Sequence, residues 1–219
     1  VVPGRAGELA DLLARELETL EAAGCAVIVV DEPAAVAIGD DGRARAGFTR
    51  AQRRLLRRTP DLHAMLSIVG GSAGAAGPET IVGAPYASFL FDLVAGPDNW
   101  YLVRAAPPER GIVCAALAAG SGREAIDQSP QLVWAARYAA SSGGRGLERV
   151  GLANASSLAD LAPADARRAL DALGRAAGLA VMTPADAVAA GLDKRTFTSN
   201  PYAGPIPGAV PEPEPEEQP

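Results

Sequence analysis

Apolar positions fall into two rhythms that take turns along the chain. From Gly7 to Ala23, Leu9, Leu12, Leu13, Leu17 and Leu20 recur at helical spacing among charged residues, and Gly24 follows as a stop signal, which predicts an amphipathic helix. Ala26 to Val30 is a β-branched run that ends in Asp31-Glu32-Pro33, where the proline cannot continue a central strand. Thr49 and Gln52 stand at capping-box spacing and predict a helix that opens there and runs towards Arg58. Ala64 to Val69 reads as a second strand ending in glycines, Ala87 to Val94 as a third, Trp100 to Val103 as a short fourth and Ile112 to Ala118 as a fifth. Ser129-Pro130 supplies an N-cap and a first-turn proline for a helix through Trp134 and Tyr138. Val150 to Ala153 is the last strand, and Pro163 to Ala177 a long helix. Near fully apolar strands are what a parallel sheet buried on both faces requires, so the expected class is α/β.

Composition adds limits. The chain has 219 residues, enough for a sizeable core without disulfide or metal staples. Its 20 basic against 26 acidic residues give a net charge of -6, which argues against nucleic-acid or anionic-membrane partners. Arg53, Arg54, Arg57 and Arg58 recur at helical spacing and read as one solvated face. Cys25 and Cys114 each sit in an apolar run and read as buried strand residues. Without a CxxC or disulfide pattern, they fit a reducing, cytoplasmic setting. No apolar stretch approaches the roughly 20 residues that span a bilayer, and no signal peptide is visible, so a soluble protein is expected. The chain opens on Val1, which suggests trimming or a fragment.

From about Thr196 the periodic signals stop, and the last 19 residues hold seven prolines and four glutamates. A disordered tail over 196–219 is expected beyond a folded portion over 1–195, leaving the body nearer -2. Gly70-Gly71-Ser72-Ala73-Gly74 has the form of a nucleophile elbow, but no histidine follows Ser72 to complete a triad in that order. Ala119-Gly120-Ser121-Gly122-Arg123 follows a strand and reads as a turn, with phosphate cradling the alternative. Trp100-Tyr101 and the Trp134 to Tyr138 segment read as packing.

Four segments then occur in a particular order: the strand ending in Asp31-Glu32-Pro33, the strand opening His63-Ala-Met65, the strand Phe89-Leu-Phe-Asp92, and Gly151-Leu-Ala-Asn-Ala-Ser-Ser-Leu158. Together they resemble the catalytic barrel of cobalamin-independent methionine synthase and its shorter relatives, over roughly Gly7 to Ala180. The resemblance implies a TIM-barrel-like (β/α)8 fold represented only by its later strands, with the earlier strands supplied by an upstream segment or a second copy, as in a homodimer. It also implies methyl transfer to a thiol such as homocysteine from a donor such as a methyl folate. In that family the Asp-Glu-Pro strand end holds the amino acid, a His-x-Cys strand and a following acid ligate zinc, and a later cysteine completes the site. By that resemblance Asp31 and Glu32 bind the amino acid, His63 and Asp92 are what remains of the zinc site, and Ser156 lines it.

This chain departs from the pattern where the chemistry is. Met65 and Ser156 stand where the family has cysteines, Asp92 replaces a glutamate, and the proton-donating histidine has no counterpart, because His63 is the only histidine. Zinc turns a thiol into an attacking thiolate, and such a site takes about three soft or borderline protein ligands. A neutral thioether and a serine hydroxyl are poor substitutes. Two further readings follow: a catalytically silent relative that binds a small amino acid or thiol, and a zinc-free enzyme using Asp31, Glu32 and Asp92 as acid and base.

Overall fold

The computed structural model describes residues 5–119 and 128–193. The expected tail over 196–219 and the Gly120 to Arg123 part of the glycine-rich turn lie outside the described residues. In chain order the elements are α1 (Ala6–Ala22), β1 (Val27–Asp31), α2 (Gly42–Leu56), β2 (His63–Ile68), α3 (Pro78–Ile81), β3 (Ser88–Asp92), α4 (Trp100–Ala105), β4 (Gly111–Leu117), α5 (Ser129–Ser141), β5 (Val150–Asn154), α6 (Pro163–Ala180) and α7 (Pro184–Ala189).

The strands form one parallel sheet in sequential order, β1 to β5. Successive βαβ crossovers share one hand, so a sheet that never reverses its strand order carries its helices on one face. Leu66, Ile68, Phe89, Phe91, Ile112 and Cys114 point to that face and are fully buried. The other face carries Val27, Val29, Met65, Leu90 and Val113, and there Val27 and Val29 stay 56% and 51% exposed. The sequence reading of strands buried on both faces is therefore corrected, since among the described residues helices cover one face only. An α/β chain with a sequential parallel sheet is compatible with part of a (β/α) barrel.

Most elements lie where the hydrophobic rhythm puts them, and the departures have local causes. α2 opens at Gly42, capped by the Asp41 carboxylate, which accepts the Arg43 N–H at 2.8 Å. Thr49 lies inside that helix and its hydroxyl donates to the Arg45 carbonyl at 3.0 Å, so the capping-box reading fails. Trp100 to Val103 is the start of helix α4 rather than a strand, because a run this short fits both periods and the Pro97–Asn99 turn leads into a helix. The aromatic residues do pack, with Trp100 5.0 Å from Trp134 and 5.2 Å from Tyr138, ring centre to ring centre. Cys114 is buried in β4, whereas Cys25 precedes β1 and is exposed, contrary to its reading as a strand residue. The exposed arginines of α2 and of the turn after it meet α1 in the ion pairs Arg54–Asp11 and Arg58–Glu18.

One structural residue carries no local sequence signal. Arg145 is 1% exposed, and its guanidinium donates to the carbonyls of Ala139 at 2.6 Å, Ala106 at 2.9 Å and Arg110 at 2.9 Å. These carbonyls lie at the ends of α4 and α5 and in the turn before β4, so a cation there meets the negative ends of two helices. Desolvation holds its pKa below the usual arginine value.

Candidate strand-end site

The carboxyl ends of the strands gather Asp31, Ser67 and Asp92 on the uncovered face. Asp31 ends β1 opposite Ser67 of β2, and the Ser67 hydroxyl donates to Asp31 Oδ1 at 2.9 Å. This bond fixes the orientation of an exposed carboxylate at the end of the sheet where parallel α/β folds place their ligands. Side chains alternate along a strand, so Glu32 turns to the helix-covered face. There its charge is felt by the buried Tyr86, whose hydroxyl bonds to Gln52 of α2. Desolvation, reinforced by the charge of Asp31, holds the Glu32 carboxyl above its ordinary value. Asp31 and Glu32 are adjacent in sequence yet do not face one ligand.

Asp92 is 2% exposed and fully engaged. Its Oδ2 accepts the Gly70 N–H at 2.9 Å, and its Oδ1 accepts Val94 N–H at 2.9 Å and Ala95 N–H at 2.8 Å. Asn99, which the sequence reading missed, completes the arrangement. Its amide donates to the carbonyls of Gly71 at 2.9 Å and Asp92 at 2.7 Å, and its Oδ1 accepts the Ala73 N–H at 2.9 Å. A Cβ at Gly96 would stand 2.3 Å from the Gly71 carbonyl oxygen, so only glycine permits the two loops to close. The one usable signal was Asn within a Pro-Asp-Asn turn, and turn chemistry alone does not tell which partner a side chain will meet.

His63 and Asp92 are not brought together. His63 opens β2 level with Val27, whereas Asp92 closes β3 two residues beyond Leu90, the partner of Ser67, so about six residues of strand, roughly 20 Å, separate them. His63 Nε2 instead shares a hydrogen bond with the buried Ser88 hydroxyl at 2.9 Å. Met65 lies on the uncovered face, paired with Ser88. Ser156 follows β5, and its hydroxyl donates to the Ala119 carbonyl at 2.8 Å. Among the described residues no three His, Cys, Asp or Glu side chains are grouped to hold a metal ion. With Asp92 occupied by backbone donors and His63 at the far end of its strand, this donor set does not fit zinc.

Two further features define the surroundings. Ser72 accepts the N–H of Gly74 at 3.3 Å as part of a turn, and His63 lies at the opposite end of β2, so no elbow dyad forms. A cavity of about 580 Å³ opens at the amino end of the uncovered face, lined by His63, Ser88, Arg110, Arg149, Gly111 and Gly151. It lies at the opposite end of the strands from Asp31 and Asp92, and Glu109 and Glu148 also line it. At the carboxyl end, Asp31 is an accessible charge held in a fixed orientation by Ser67. No helix among the described residues is long and apolar enough to cross a membrane. Comparison with protein-family models and with curated proteins returned no match.

Proposed function

We propose that the chain is a zinc-independent relative of the methionine synthase catalytic barrel, built from its later strands, that binds a small amino acid or thiol such as homocysteine at its strand-end rim. The observation that carries this reading is the Asp31 carboxylate, exposed on the uncovered face and oriented by Ser67 at 2.9 Å, where it can receive a substrate ammonium group. The resemblance gives Asp31 the same role. The family's zinc chemistry is left out because Asp92 is committed to loop closure and His63 to Ser88. Methyl transfer to the thiol is the competing reading. It requires ligands beyond His63 and Asp92 and a methyl donor such as a folate.

Calorimetric titration with homocysteine and methionine, with and without added zinc, separates the two. Saturable binding that is indifferent to zinc and at least about tenfold weaker in Asp31→Asn is expected, the loss being that of one charge-assisted contact. Absence of binding, or binding unchanged in Asp31→Asn, overturns the proposal. Near-stoichiometric zinc, tightened by homocysteine and followed by methyl transfer, puts the competing reading in its place.

A further inference from the structure

The first helix carries a stripe that no element among the described residues covers. α1 turns Ala10, Ala14 and Leu17 inward and meets α2 through Asp11 and Glu18. At about 100° per residue, the flank opposite Asp11 and Glu18 holds Arg5, Leu9, Leu12 and Glu16, with Leu13 beside them. All are exposed, Leu9 by 47%, Leu12 by 63% and Leu13 by 42%. α1 precedes the edge strand β1, so this flank looks outward past the end of the sheet.

We propose that the stripe is a self-association surface on which α1 of a second copy packs antiparallel about a two-fold axis. The order of residues selects that occupant. With the axis between residues 10 and 11, Leu9 faces the partner's Leu12 and Arg5 faces the partner's Glu16, and symmetry produces each pair twice. A parallel copy in register would set Arg5 against arginine and Glu16 against glutamate. The stripe is thus self-complementary in one direction only, with leucines at its centre and opposite charges at its ends, the layout of an antiparallel helix pair. The surface of a 17-residue helix is at the small end for a stable interface, so the association is weak and concentration-dependent.

Sedimentation equilibrium of the full chain, from about 1 to about 200 µM, spans the range in which so small an interface forms and dissociates. A monomer–dimer equilibrium is expected. Leu12→Arg, at an exposed position that leaves circular dichroism unchanged, abolishes the dimer in that range. Glu16→Arg and Arg5→Glu each weaken it at least about tenfold by making two like-charge contacts, and the double exchange restores it to within about threefold. A monomer throughout means that this flank serves some other partner and overturns the proposal. So does a dimer indifferent to Leu12→Arg, and failure of the double exchange to restore a dimer lost in the single variants overturns the antiparallel pairing.

Discussion

Asn99 holds the main chain of Asp92 while the Asp92 side chain holds the loop after β2: the Asn99 amide donates to the Asp92 carbonyl at 2.7 Å, and the Asp92 carboxylate accepts Gly70 N–H at 2.9 Å. Two consecutive strand ends are tied by one polar network in an otherwise apolar setting, where every unmade bond is expensive. Asp92→Asn sets an amide NH₂ against at least one backbone N–H and should destabilise the fold by about 2–3 kcal/mol. Asn99→Ala should cost a similar amount, and the double variant less than the sum. Urea denaturation of the four proteins measures the coupling. An unperturbed Asp92→Asn would restore Asp92 as a candidate metal ligand.

Arg145 is held by carbonyls rather than by a carboxylate, so its removal leaves buried acceptors without donors. Arg145→Met should lower stability by about 3 kcal/mol or more. Arg145→Lys should recover only part of it, because one ammonium cannot reproduce the spread of a guanidinium fork. Thermal and urea unfolding of both variants test this, and equal stability of lysine and arginine proteins would show that charge, not geometry, is what the site needs.

Glu32 introduces a pH dependence of definite sign. Its folded pKa lies above the ordinary value of 4.5, so the folded state binds its proton more tightly than the unfolded chain does. Between 4.5 and the folded value, stability from this group falls as pH rises, and above the folded value the loss is complete. Glu32→Gln should therefore be more stable than the parent at neutral pH, with the difference shrinking as pH falls through that window. A difference in stability that is flat with pH would show that the carboxyl is not desolvated in solution.

The two thiols should differ sharply in reactivity. Burial pushes Cys114 up to about 12, whereas Cys25 is exposed. A thiol reagent should label one cysteine per native chain at once and two after denaturation. Rapid labelling of both in the native state would mean that β4 opens readily.

How far the sequence could be read follows from the range of the interactions involved. Leucine spacing gave α1, and the β-branched run Ala26 to Val30 gave β1, to within a residue or so, because periodicity within one element reflects which side is buried. The α/β class followed from the alternation of such elements. Trp100 to Val103 was misread because four residues are too few to separate the two periods. Asp31 was placed at a strand end correctly, and alternation along the strand already sends Glu32 to the opposite face, but which of the two faces the helices cover is decided only when the sheet assembles. The separation of His63 from Asp92 is likewise a property of strand register, which no residue states by itself. What the sequence alone determined was the order and kind of its elements, since these depend on contacts along one segment. Which carboxylate is accessible, which is consumed by loop N–H groups, and which apolar stripe is left bare were decided only by the tertiary structure, because those outcomes depend on partners from distant parts of the chain.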